Sequence, residues 1–212
     1  VASAARVWRL GILSWVAGVV DTFDYLALGR VFISHATGNT AVIAIAVVQR
    51  NGHEALRRGL AVPAFFAGSL AGAAVVDAAD DSRQLTRALL VEAALIVAFV
   101  IVWRLGFDRR ATGPAWAGAL LLEATAMGIQ NAALKHPSTR GTHTTHITGP
   151  LSDFALETIR LLRPARRAEF DRLRMARQLA RLAGFLAGAL SGALLFQAAP
   201  ITGPAVVAAT AL

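Results

Sequence analysis

The sequence predicts an all-α, polytopic transmembrane helical bundle. Three observations carry that expectation: a composition too apolar for water, long apolar runs punctuated by arginines, and two ordered sets of matching motifs. Of the 212 residues, 56% are hydrophobic and only 16% are charged, whereas a soluble domain carries roughly 25% charged residues. Mean hydropathy is +0.55. Aromatics make up only 7% while alanine and glycine abound, a composition suited to closely packed helices. The chain has no cysteine, which excludes disulfides and thiolate metal sites. It opens on valine without a visible signal peptide, so its start reads as trimmed.

A membrane-crossing helix needs about 20 mostly apolar residues. Runs of that kind lie near 8–29, 31–49, 58–78, 86–105, 114–134, 146–162 and 179–197. Another apolar stretch begins near Pro204 but meets Leu212 after nine residues. The expectation is seven complete spans plus a partial eighth. Charge then sets the orientation. With the N-terminus in the cytoplasm, sixteen of the arginines fall inside, against five basic residues outside (Arg30, Arg83, Arg87, Lys135 and Arg140). That distribution predicts a multi-pass membrane protein with its N-terminus inside. It also accounts for the net charge of +8 without nucleic acid, since the arginines lack the interleaved aromatics of a base-binding surface. The tract 160–181 holds eight of the inner arginines and reads as a helix on the inner surface. There each arginine gains about 1 kcal/mol from anionic lipid, although a plain topology anchor is the preferred account.

The chain also reads as a duplication. "AGVVD" (17–21) parallels "MGIQN" (127–131), which sets Gly18 over Gly128 and Asp21 over Asn131. Later in each half, "FAGSLAGAA" (66–74) parallels "LAGALSGAL" (186–194), matching Gly68 and Gly72 with Gly188 and Gly192. Repeat one covers 8–105 and repeat two covers 114–212, within a single membrane domain. Four spans separate corresponding elements, so the halves point the same way, with a pseudo-twofold axis along the membrane normal. The Gly-x-x-x-Gly spacing lets two backbones approach. Because both halves carry it, packing inside the bundle is preferred to a dimer interface, and a homo-oligomer is left open.

The most polar heptad, "SHATGNT" (34–40), interrupts an apolar region, and its His-x-Thr-Gly core recurs in "THITGPL" (145–151). Thr37, Asn39 and Thr40 are N-cap types, and Pro150 suits a first helical turn. Both stretches therefore read as helix starts, whose free backbone N–H groups attract anions or carboxylates. Parallel repeats would set the two starts at similar depth on the outer side, facing each other across the axis. Asp21, Asp24, Glu92, Glu123, Asp153, His35 and His146 are ionisable groups within or beside spans; such groups line cavities or pair with one another. Two helix starts favour an anion, while Asp21 and Asp24 favour a cation or proton. The mixture suits a proton-coupled carrier or a zwitterionic ligand, with Asp21 as the protonatable group. "HTTH" (143–146) raises a metal site, but no cysteine or HExxH accompanies it, and no metal or cofactor is called for. Ser34 with His35 would be the candidates for a hydrolase, without any Gly-x-Ser-x-Gly to support them.

"YLALGRVFISHATGNT", "MGIQNAALK" and "THITGPLSD" together resemble the YoaK-like family of bacterial integral membrane proteins, a domain of unknown function. The resemblance covers nearly the whole chain. Gly38, Asn39, Gln130, Asn131, Thr148 and Gly149 match the family pattern, which implies a polytopic protein of the bacterial inner membrane and supplies no substrate or reaction. Pro150 stands where the first copy has Asn39, which breaks the internal symmetry.

The resulting expectation is a small-solute transporter rather than an enzyme. Its substrate-binding residues are Asp21, Asp24, His35, Thr37, Gly38, Asn39, Glu123, Gln130, Asn131, His146, Thr148 and Gly149. The rivals are an intramembrane enzyme or metal-binding protein using His143 and His146, and a non-transporting membrane scaffold.

Overall fold

The computed structural model describes residues 2–77, 82–106, 113–133 and 147–199, and every regular element among them is helical. The α-helices are α1 (Ala2–Ala27), α2 (Ala36–Val48), α3 (Gly52–Asp77), α4 (Ser82–Gly106), α5 (Gly113–Ala133), α6 (Thr148–Leu162) and α7 (Arg172–Ala198). A 3-10 turn, Pro164–Glu169, lies between α6 and α7. Among the described residues, four helices, α1, α3, α4 and α7, are long and apolar enough to cross a membrane. Of the other expected spans, α5 has 21 residues, while α2 and α6 have 13 and 15. The last two rise only about 20 Å at 1.5 Å per residue, short of a hydrocarbon core of roughly 30 Å. The partial eighth span lies outside the described residues.

The tract 160–181 is not one surface helix. α6 runs to Leu162, Pro164 opens the 3-10 turn, and α7 begins at Arg172. Proline removes a backbone donor and clashes with a continuing helix, so the break falls where the sequence places it. Buried Glu157 holds the corner. It pairs with Arg160 at 2.7 Å, accepts the Asp171 backbone N–H at 3.2 Å, and lies 3.6 Å from Arg174.

Packing is set by small residues. α1 lies along α7, α3 lies along α5, and α4 covers another side of α5; α2 rests on α3 and α6 on α7. A Cβ at Gly72 would stand 2.7 Å from the Ile129 carbonyl oxygen, and one at Gly192 would stand 2.5 Å from that of Val19. Gly68 likewise abuts Thr125, and Gly188 abuts Trp15. The Gly-x-x-x-Gly motifs therefore serve close contacts within the chain, where dispersion between backbones replaces a hydrophobic drive. Leu70, Leu90, Leu105, Leu190 and Leu194 point outward while Asp21, Asp24, Glu92 and Glu123 are buried. That polarity inverts the pattern of a water-soluble domain.

Candidate functional site

The α1–α2 reversal builds the site. α1 ends with Gly29 and Arg30 both at positive φ (74° and 64°), a left-handed pair that turns the chain back on itself. Leu28, Val31 and Ile33 then sink into the core and carry Ser34 with them. The connection is thus partly sunk into the bundle, with Arg30 and Phe32 left exposed. That explains how part of a polar heptad can follow an apolar run: the Ser34 hydroxyl and the Asn39 side-chain amide find acceptors inside the protein.

Asp21 is the hub. It is only 2% exposed, and the Ser34 hydroxyl lies 2.6 and 2.7 Å from its two oxygens. His35 Nδ1 lies 3.3 Å from Asp21 Oδ2 and 3.3 Å from Ser34 Oγ. The His35 side chain remains 30% exposed and is bordered by the Phe32 ring and by Phe185 of α7. The buried Asn39 donates its side-chain amide to the Phe32 carbonyl. That bond ties the reversal to the first turn of α2.

The expected caps differ in detail. α2 starts at Ala36 with His35 in the N-cap position, α6 starts at Thr148 with Ile147 there, and neither has a side-chain cap. Both His-x-Thr-Gly stretches are helix starts, but Asn39 and Thr40 already lie inside α2, where Thr40 bonds back to the Ala36 carbonyl. Pro150 occupies the first turn of α6 and is buried. Thr37, Thr148 and Gly149 are exposed, and Gly38 is half-buried. The two starts are not brought together among the described contacts, because α2 packs on α3 and α6 on α7. His143 and His146 lie outside the described residues.

A second buried group continues inward from Asp21. Asp24 follows it by one helical turn on the same face of α1 and is fully buried. Among the described residues, neither Asp24 oxygen has a hydrogen-bond partner, and Glu123 Oε2 lacks one too. Glu92 of α4 differs, since it accepts the Gln130 side-chain amide at 2.7 Å. Asn131 is half-buried. Among the described residues, no three His, Asp or Glu side chains are placed to hold a metal.

Two participants were underrated by sequence reasoning. Ser34 enters the sequence reading only as a hydrolase candidate beside His35. They do meet here, because Asp21 gathers both. Its hydroxyl proton is directed at a carboxylate rather than at the imidazole, so His35 is not positioned as the base of a serine nucleophile. Glu92 was recognised as ionisable but left out of the site; its partner Gln130, 38 positions away, carries no local signal.

Comparison with known proteins fits this architecture. The chain matches, over residues 10–212, the family described as Protein of unknown function (DUF1275). It is similar to the UPF0700 transmembrane protein YoaK of Bacillus subtilis (strain 168), at 31% identity over 154 residues. That match spans 71% of this chain and 66% of the relative, just under two thirds of its length. No solved structure matches. With its apolar helices and its buried polar groups, the chain is a helical membrane protein and belongs to the DUF1275 family.

Proposed function

We propose that the protein is a small-solute transporter, coupled to protons, whose solute site opens on the start of α2 beside Asp21. The observation that carries the reading is the Asp21–Ser34–His35 cluster. It is buried on the α1 side, partly open at His35, and set against a helix N-terminus. A carboxylate, an imidazole and free backbone N–H groups in one place suit a solute bearing both signs of charge. Thr37 and Gly38 lie on the open side of that start, and the second start at Thr148 and Gly149 would be its counterpart.

Alternating access in parallel-repeat carriers uses two halves that move against each other. The reading therefore takes 8–105 and 114–212 as tandem repeats about an axis along the membrane normal. Its support is a correspondence of contacts. Gly18 meets Phe185 and Ala189 as Gly128 meets Phe65 and Ser69. Gly188 meets Trp15 as Gly68 meets Thr125, and Gly192 meets Val19 as Gly72 meets Ile129. The first helix of each half thus packs on the third helix of the other. The same reading places the N-terminus and the arginines of 160–181 at the cytoplasmic face of a bacterial inner membrane. Anionic lipid would meet the exposed Arg163, Arg166 and Arg167 there.

The test is a vesicle screen. Purified protein is sealed into phosphatidylcholine–phosphatidylglycerol vesicles with a pH-sensitive dye, and amino acids, organic anions and organic cations are added in turn. One class should change the internal pH with wild-type protein and fail to do so with Asp21→Asn. Silence for every class, with protein shown to be folded, would end the transporter reading.

A further inference from the structure

We propose that His35 carries the coupling proton, on its Nε2 atom, and that the solute it accompanies is a carboxylate. Asp21 then serves as a fixed counter-charge. The sequence favours Asp21 as the protonatable group, because Asn131 at its matching position cannot titrate. Distances redirect the assignment. The Ser34 hydroxyl lies 2.6 and 2.7 Å from the two Asp21 oxygens, and His35 Nδ1 lies 3.3 Å from Oδ2. At 2% exposure, Asp21 is closed to a solute cation.

The same contacts fix the imidazole. The Ser34 proton goes to Asp21, so Nδ1 faces two acceptors: a carboxylate oxygen and the Ser34 oxygen, each at 3.3 Å. A bare Nδ1 would set its lone pair against both. Nδ1 therefore keeps its proton, and the neutral ring is the Nδ1–H tautomer. Nε2 is then the nitrogen whose proton comes and goes. It takes one from water and returns it, and no other bond changes. The side chain is 30% exposed, bordered by the Phe32 and Phe185 rings at 5.3 and 6.4 Å.

The charged surroundings suit that exchange. α1 brings Asp21 in contact and Asp24, fully buried, one turn further on. The reversal brings the exposed Arg30, α2 has no charged residue, and α7 brings Arg181 one turn before Phe185. The hydrogen bond to Asp21 raises the His35 pKa from the ordinary 6.5; burial opposes that rise, and the Asp21 charge adds to it. Protonated His35 thus offers an Nε2–H donor, with its charge balanced from behind by Asp21. A carboxylate completes such a donor, whereas an ammonium would meet a like charge. Loss of the Nε2 proton weakens the carboxylate's hold, so the two enter and leave together. The coupling role and the solute class rest on the transporter reading; the tautomer and titration of His35 do not.

Imidazole nitrogen resonances of the isotope-labelled full chain in the same vesicles test each part. The His35 signals are those absent from His35→Gln. In wild type the neutral ring should keep its proton on Nδ1, and Nε2 should titrate above 6.5. Asp21→Asn should lower that titration. Acetate, added as the probe, should raise it, and tetramethylammonium should not. A neutral ring protonated on Nε2, or a titration at or below the ordinary value, overturns the proton assignment even if Asp21→Asn does not fold. So does a folded Asp21→Asn protein with an unchanged titration. A titration unmoved by acetate and succinate, or raised by tetramethylammonium, overturns the carboxylate assignment. If the spectra come out as expected and the solute screen stays silent, the transporter reading alone fails.

Discussion

The Ser34 hydroxyl sits between both oxygens of Asp21, 2.6 and 2.7 Å away, and so clamps the start of α2 to the C-terminal half of α1. Removing one partner of a buried hydrogen bond costs about 1–3 kcal/mol when the other is left unsatisfied. Ser34→Ala should therefore lower the thermal midpoint in detergent clearly, and Ser34→Thr should recover part of the loss by restoring a hydroxyl. Asp21→Asn keeps an acceptor for Ser34 and should be the milder change. Melts that do not separate Ser34→Ala from wild type would mean the clamp does not hold the reversal.

Packing supplies its own internal control. Gly72→Leu and Gly188→Leu each drive a side chain into a facing backbone, and overpacking costs about 1–3 kcal/mol. Both should reduce folded yield in size-exclusion profiles. Gly59 is helical too, but a Cβ there would meet nothing within 4 Å. Gly59→Ala should be neutral or stabilising, by up to about 1 kcal/mol, through helix propensity. Equal behaviour of all three variants would contradict the close approach.

Acid sensitivity should appear at the start of α7. The Asp171 carboxylate accepts the Arg174 and Leu173 backbone N–H groups at 3.1 and 2.8 Å. The Arg174 bond first, then that of Leu173, holds its pKa below the ordinary 3.8. A lowered folded value means the cap stabilises fully above the unfolded pKa and loses that effect as pH falls through the folded one. Wild type should therefore lose midpoint on acidification below about pH 4. Asp171→Asn keeps an N-cap acceptor and should show less of that loss. Parallel acid profiles for the two proteins would remove Asp171 from the account.

How much of this was legible in the sequence follows from how far apart the partners lie. The helix interfaces were readable because Gly-x-x-x-Gly is a local pattern with one physical use, close approach of backbones. The break after α6 was readable too, since Pro164 stands inside the arginine tract, but charge alone suggested a continuous surface helix. The clamp was not readable: Ser34 and Asp21 are 13 residues apart, across a turn whose depth no periodicity reports. The length of α2 was overestimated for a related reason. Apolar residues in the buried reversal, Val31 and Ile33 among them, resemble membrane-facing ones when only hydropathy is counted.

Orientation can be read with single cysteines, since the chain has none of its own. Thr148 at the start of α6 and Ala168 in the 3-10 turn are both exposed and lie at opposite ends of α6. Thr148→Cys should react with an impermeant thiol reagent on intact cells, and Ala168→Cys should react only after lysis. The reverse pattern would place the N-terminus outside.

The polar heptad divides into a part that holds structure and a part free to meet solute. Asn39 is buried, donates to the Phe32 carbonyl, and has a side-chain oxygen without a partner among the described residues. Thr37, two positions earlier, is exposed on the first turn of α2. Asn39→Ala frees the Phe32 carbonyl inside the protein and should cost about 1–3 kcal/mol, seen as a lower thermal midpoint whether or not solute is present. Thr37→Val is nearly isosteric and alters an exposed side chain, so its midpoint should match wild type. Its effect should appear only in the vesicle screen, as a weaker dye response to the active solute class at every pH. A Thr37→Val protein with wild-type response would move the solute site away from the helix start. One with a depressed midpoint would make Thr37 a structural residue like Asn39.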